Sequence, residues 1–289
     1  MLAPASFMPG PLSMLLSALY FAVMGAFIKA LGHDIPLFEI TFFRAGVSAL
    51  ILGAVMLGRG IPLKGKNQGL LLIRALSGFA AMTLNFYALA QIPLGDAALL
   101  NQSSPIFVVL LSWFFLDEKL SGLLVLVVLL SFFGILLVLR PSGNVFNVAG
   151  LAGLGGAIFA AGAYVAIRQL HQTDSFWTMA FYFMVVAALL SLPPMLRTWV
   201  TPNFKQFLLL IGSGLFGSLG QLFMTYAYKN DSASWVAPFS YAGVLFSFAF
   251  GIYFFGDSLD FTGAAGAFLT ILGGIALLFF KSRREEMTR

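Results

Sequence analysis

Residues 37–52, LFEITFFRAGVSALIL, place a carboxylate, Glu39, and a guanidinium, Arg44, in a stretch otherwise apolar enough to dissolve in lipid. An ionised side chain at bilayer depth costs roughly 2.5 to 3.5 kcal/mol even on lenient insertion scales, so each needs a reason to be there. Five residues turn a helix through about 500°, which leaves the two about 140° apart and unable to neutralise each other. Arg44 lies about seven residues, roughly 10 Å, inside the segment. Three uses are open to it: pairing with another helix, snorkelling to the interface, or holding a carboxylate or phosphate of a solute. Glu39, near the segment's start, is either an interfacial group or the carboxylate placed to carry a coupling proton.

Other polar residues recur at helical spacing. Arg74, Ser77, Ala81 and Asn85 form a stripe on a helix whose other faces are Leu, Phe and Ala, and lipid would reject that stripe. Arg74 is either an interfacial anchor or a gate. Asn101, Gln102, Ser103 and Ser104 in succession cover every side of a helix and must meet protein or water somewhere. With Tyr20, Tyr164, Gln221, Trp235, Phe239 and Tyr241 they make a mixture of aromatic walls, amides and hydroxyls suited to a small organic solute. Pro105 and Pro238, inside apolar stretches, each free a backbone carbonyl and bend a helix, giving either a usable gate or a static kink.

Several chemistries are excluded. The chain has no cysteine and two histidines, His33 and His171, too few for a metal cage. In LDEKLS the carboxylates of Asp117 and Glu118 are adjacent at an interface; Ser121 or Asp117 as a helix cap, with Leu120 as staple, is the simpler use. No His cluster or paired deep carboxylate marks intramembrane catalysis, so no enzyme activity, metal or cofactor is expected.

The elements that position these residues follow from composition. Of 289 residues, 60% are hydrophobic and 9% charged, with a mean hydropathy of +0.95; soluble domains carry about 25% charged residues. Apolar runs near 12–31, 37–57, 69–91, 96–116, 121–139, 150–170, 176–196, 205–228, 232–255 and 261–280 are each long enough to cross a core about 30 Å thick. The first is read as a retained span, because MLAPASFMPGP has no basic leader. Connections such as GHDIP, IPLGD, RPSGN and KNDS leave no room for an extramembrane domain.

Basic residues set the expected orientation. With a cytoplasmic N-terminus, inner connections hold Arg59, Lys64, Lys66, Lys119, Arg168, Lys229, Lys281, Arg283, Arg284 and Arg289, while outer ones hold only Lys29, Arg140, Arg197 and Lys205. Both termini are therefore expected inside. The tail KSRREEMTR reads as a stop signal and phospholipid contact rather than a nucleic-acid arm.

Displaced by 139 residues, the chain aligns with itself without a gap: Lys29 falls on Arg168, Phe42 on Phe181, Gly78 on Gly217, Tyr87-Ala88 on Tyr226-Ala227, Leu120 on Leu259 and Gly134 on Gly273. A unit of five spans is odd, so its copy enters the membrane from the opposite face. Inverted repeats place a site near the midplane between the halves, the geometry of alternating access. Two units are expected, residues 1–145 and 146–289, around a central cavity. Gly263, Ala267, Gly266 and Thr270 let helices approach closely, in the core or in a dimer, so monomer and homodimer both stay open.

Phe43-Arg44, Tyr87-Ala88-Leu89, Asp96-Ala97, Ser104-Pro105, Glu118-Lys119-Leu120 and Gly134, with Tyr226-Ala227, Pro238-Phe239, Tyr241 and Gly256-Asp257, resemble the EamA-type domain of the drug/metabolite transporter superfamily. Asp257 stands where that family more often has Glu. The resemblance covers nearly the whole chain and implies a ten-span carrier, all α-helical, moving small metabolites in a cell membrane. A multidrug-type cation exchanger would need a deep carboxylate in the first span, and LSMLLSALYFAVMGAFIKAL has none. The expectation is a secondary carrier of amino acids, their derivatives or similar solutes, export favoured, with protons as a candidate coupling ion. Uptake of a vitamin, nucleobase or organic anion, lipid flipping, and a non-transporting scaffold are the alternatives.

Overall fold

The structure is a computed structural model and describes residues 8–31, 34–92, 94–139, 147–255 and 261–286. His33, Arg140, Gly256, Asp257 and Arg289 lie outside the described residues. The described chain is helical: α1 (Gly10–Leu31), α2 (Leu37–Gly58), α3 (Gln68–Gln91), α4 (Leu94–Asn101), α5 (Ser104–Leu116), α6 (Gly122–Leu139), α7 (Val148–Gln169), α8 (Phe176–Arg197), α9 (Phe204–Asn230), α10 (Ala233–Val236), α11 (Ala242–Phe255) and α12 (Phe261–Glu286). Nine of the resulting spans are long and apolar enough to cross a membrane, and α12 adds a shorter apolar stretch over Phe261–Ala276.

Local chemistry starts these helices. Asn67 accepts from Leu70 N at 3.2 Å, Asn147 from Gly150 N at 2.8 Å and Ser175 from Thr178 N at 3.0 Å. Asn203 and Gln206 form a reciprocal capping box at α9. Each satisfies a donor that the first helical turn leaves orphaned.

The fold keeps the 139-residue displacement at element level. Adding it to α2 reproduces both ends of α8, and adding it to the last residue of α3 gives the last residue of α9. Packing is reciprocal as well: α1 lies on α9 as α7 lies on α3, α2 lies on α9 as α8 lies on α3, and α2 meets α8 and α6 meets α12. Where α6 crosses α12, a Cβ on Gly134 would stand 2.5 Å from Thr270 Oγ1, and one on Gly273 would strike Ser131 Oγ. These are the same contact seen from its two ends, as a two-fold relation requires. The small face of α12 is therefore used against α6 within one chain.

Spans four and nine are each interrupted by a short tightened turn near Pro105 and Pro238, where the sequence reading expects a bend. Span four divides into α4 and α5 at Gln102-Ser103, with Pro105 in the first turn of α5; Ala237–Tyr241 of span nine is a 3₁₀ turn, with Pro238 at its start. Proline fits a first helical turn because the N–H it lacks has no partner there. At the break, Ser103 Oγ donates to Leu100 O at 2.6 Å.

The LDEKLS segment divides three ways. Ser121 caps α6, accepting from Leu124 N at 3.1 Å, and Asp117 ends α5 in the left-handed region at φ 52°. Glu118 instead reaches into the second repeat, accepting from Ser232 Oγ at 2.7 Å, Ala233 N at 2.9 Å, Ser234 N at 3.0 Å and the Ser234 hydroxyl. It holds the start of α10 from a loop more than a hundred residues away in sequence.

That bond belongs to a wider asymmetry. At the end of the bundle carrying the α5–α6 loop, α10 packs against α5, and one core cluster joins both repeats through Met14, Val109, Leu124, Tyr228, Val236 and Phe239. At the other end α4 and α11, the repeat equivalents of that pair, make no comparable contact among the described residues. There the core divides into one cluster around Leu31, Ile40 and Leu210 and another around Ala88, Ile92 and Ala149. Among the described residues the bundle is latched at one end and parted at the other.

Candidate functional site

The site grows from a socket that both repeats possess. On α9, Gly217 has no side chain, and Arg44 of α2 lies in the space: a Cβ there would stand 3.3 Å from both Cγ and Nε of Arg44 and 3.0 Å from Met24 Sδ. The Arg44 guanidinium carbon is 5.8 Å from the centre of the Phe21 ring on α1. In the other half, Gly78 of α3 opens the same space for Phe183 of α8, whose Cε2 would be 2.7 Å from a Cβ there. Phe183 is the repeat equivalent of Arg44, and Gly78 of Gly217. Arg74 covers the Phe183 ring, its guanidinium carbon 4.2 Å from the centroid.

Among the described residues neither guanidinium has found a carboxylate. Arg44 Nε, Arg74 Nε and Arg74 Nη1 are buried without a hydrogen-bond partner, and Arg74 as a whole is 1% exposed. A ring face is worth about 2 kcal/mol to a desolvated cation. Desolvating the ion costs several kcal/mol, so the rings alone do not balance it. The helix-pairing expected as one use of Arg44 is absent among the described residues, and its contacts with α1 and α9 turn it away from lipid.

Aromatic residues of the second repeat close the space. Tyr164 of α7 lies within electrostatic reach of both guanidiniums. Its ring stacks on Tyr228 of α9 at 4.8 Å and 11°. Tyr228 and Tyr241 are both 1% exposed. Trp235 and Phe239 join the same cluster, Phe239 within the core and Trp235 half-buried against it. Trp235 Nε1 and the Tyr241 hydroxyl are buried without partners. The structure thus brings together Arg44, Arg74, Tyr164, Trp235, Phe239 and Tyr241 of the expected residues.

It sets the others apart. Asn85 donates to Asn101 Oδ1 at 2.9 Å, while its own Oδ1 is unpartnered and lies against Gly156 of α7. Gly156 is eight residues from Tyr164, about 12 Å along the helix, so this amide pair sits toward the parted end. Asn101 is exposed there, and Ser104 is buried beyond the break. Gln221 is buried and donates to Thr225 Oγ1 at 3.2 Å on its own helix. Tyr20 stacks on Phe223 at 5.6 Å and Phe216 at 6.3 Å; its neighbour Phe21 is the α1 residue that meets Arg44.

Glu39 is remote from the cluster and fully buried. Its Oε2 accepts from Val200 N at 3.1 Å in the α8–α9 connection, and its Oε1 has no partner. The repeat equivalent, Thr178, also bridges to a neighbouring connection, at the latched end, but in the opposite sense, by donating to Pro62 O at 3.1 Å.

Sequence reasoning did not place Phe21, Phe183 or Gly78 in the site. Displacing Arg44 and Gly217 by one repeat length would have found Phe183 and Gly78. No group of three or more metal-binding side chains occurs among the described residues.

Comparison with known proteins gives a consistent result. A family model described as the EamA-like transporter family matches residues 8–140 and again 148–280. The pseudopaline exporter CntI of Pseudomonas aeruginosa is 36% identical over 270 residues, covering 93% of this chain and 95% of that protein. Solute carrier family 35 member G1 of Homo sapiens is 30% identical, covering 90% and 76%. The S-adenosylmethionine uptake transporter of Rickettsia felis is 28% identical, covering 90% and 88%. A crystal structure shares the fold with a TM-score of 0.84 at 21% identity, covering 96% of this chain and 98% of that one.

Proposed function

The chain belongs to the EamA-like transporter family of the drug/metabolite transporter superfamily, and from that premise we propose that it is a secondary carrier of small polar or amphipathic metabolites, amino acids and their derivatives first. It is a multi-pass membrane transporter rather than an enzyme. The carrier works by alternating access in the cell membrane with both termini cytoplasmic, so the latched end faces the cytoplasm. The observation that carries this reading is the asymmetric closure of two reciprocally packed repeats around a seam with unpaired donors. Two arrangements of one pseudo-symmetric bundle, latched at opposite ends, are what alternating access needs.

Export is favoured. A relative named as an exporter stands at 36% identity and one named for uptake at 28%. Reconstituted into liposomes, the protein is expected to catalyse counterflow of labelled amino acids or their derivatives. Movement of labelled lipid with no solute flux would replace the carrier with a flippase.

Glu39 is assigned the coupling proton. Its bridge to Val200 uses one oxygen, and a protonated carboxyl keeps a carbonyl oxygen to accept that bond, while its second oxygen is buried without a partner. Glu39→Gln is expected to keep solute exchange while abolishing accumulation driven by an imposed pH gradient. Undiminished gradient-driven accumulation in that variant would reduce Glu39 to a structural bridge.

A further inference from the structure

Four of the expected site residues carry buried polar atoms without a partner that can donate a hydrogen bond: Arg44 Nε, Arg74 Nε and Nη1, Trp235 Nε1 and the Tyr241 hydroxyl. An arginine cannot shed its proton to escape burial. Among the described residues neither guanidinium has a carboxylate partner, and Tyr164 lies near both. A buried guanidinium, Arg74, and a half-buried one, Arg44, so left form a site short of negative charge at two points. The two are also separate anchors. Arg44 rests beside Phe21, between α1 and α9, and Arg74 rests on Phe183 of α8; each is held by a ring from a different repeat.

We propose that the transported solute carries two carboxylate groups, one for each of Arg44 and Arg74, joined by a carbon-rich middle lying along the stacked Tyr164 and Tyr228 rings. This deepens the carrier reading and rests on it. Guanidinium planes suit carboxylates geometrically, and the rings beneath them hold those planes in place. Arg74 offers unpartnered donors on both edges of its plane, so a carboxylate there has more than one N–H to accept from. Trp235 Nε1 and the Tyr241 hydroxyl are left for a hydroxyl, amine or further carboxylate oxygen on the solute.

The test compares glutarate and L-glutamate, with two carboxylates, against butyrate and L-glutamine, with one, and against inorganic phosphate. Affinity is read by thermal shift of the purified protein and by counterflow in proteoliposomes. The dicarboxylates are expected to bind most tightly. Arg44→Gln and Arg74→Gln are each expected to weaken them about 10- to 100-fold, the worth of a charged hydrogen-bonded contact, and to bring them level with the monocarboxylates. Arg44→Lys and Arg74→Lys keep the charge and should recover part of the loss, which a folding defect would not predict. The proposal is overturned if butyrate or phosphate binds wild type as tightly as glutarate, if no dicarboxylate binds, or if both Gln variants bind glutarate unchanged. Flux of neutral amino acids without dicarboxylates would sink this inference and leave the carrier standing; lipid movement alone would sink the carrier itself.

Discussion

Glu118→Ala is expected to raise the labelling rate of a cysteine placed at Met14 by about 30-fold, the equivalent of roughly 2 kcal/mol. The chain has no cysteine of its own, so a single introduced thiol reports alone. Met14 is 2% exposed, inside the cluster that seals the latched end. Glu118 takes hydrogen bonds from two backbone amides and two hydroxyls at the start of α10, and alanine leaves all four donors without their acceptor. Water reaches them more fully when that end opens, so the loss falls mainly on the latched arrangement. The bonds do not add fully, because Glu118 is half-buried and its partners are partly wetted. Glu118→Gln, which keeps one accepting oxygen and loses the charge, should fall between wild type and Glu118→Ala. A variant that melts earlier with unchanged Met14→Cys labelling would make Glu118 a cap and not a latch.

The fold was largely legible in the sequence because its determinants are repetitive. Ten apolar runs, each near bilayer length, and one displacement of 139 residues are enough to derive inverted packing, and the helix ends agree within a few residues. The site was less legible because its partnerships are non-local. Glu118 was readable as part of a local capping segment, but its donors lie on Ser232, Ala233 and Ser234, which periodicity cannot connect to it. Pro105 and Pro238 announced the distortion of both spans, and the four polar residues Asn101 to Ser104 marked it in span four, since four consecutive polar side chains cannot all face away from lipid on a regular helix. Arg44 was correctly separated from Glu39 by helical phase. Its lack of any carboxylate partner is a property of the assembled bundle and could not be read from its own span. Tyr20 stacks on Phe216 and Phe223 while its neighbour Phe21 meets Arg44, because one residue of helical phase, about 100°, separates the two faces.

The sharpest test of the packing lies where α6 crosses α12. Gly266→Ala is expected to destabilise the protein by about 1–3 kcal/mol, seen as an earlier loss of monodisperse protein on heating in detergent. The new Cβ would stand 2.5 Å from Gly134 O and 2.9 Å from both Leu137 Cβ and Val138 N. None of these atoms can swing away, because two are backbone and the third survives truncation to alanine, so the helices must part. Gly273→Ala meets the same crossing differently. Its nearest neighbour is the Ser131 hydroxyl, and the next atoms, Ser131 Cβ and Val127 Cγ1, are at an ordinary 3.4 Å. Ser131→Ala removes the obstructing oxygen and keeps the backbone carbonyl that Thr270 Oγ1 approaches at 3.4 Å. The cost of Gly273→Ala should therefore largely disappear in the Ser131→Ala background, a coupling of about 1 kcal/mol or more in a double-mutant cycle. No single side-chain truncation should rescue Gly266→Ala. If Gly266→Ala proves neutral, or if Ser131→Ala does nothing for Gly273→Ala, α6 and α12 do not cross at these glycines and the two-fold relation between the repeats loses its axis.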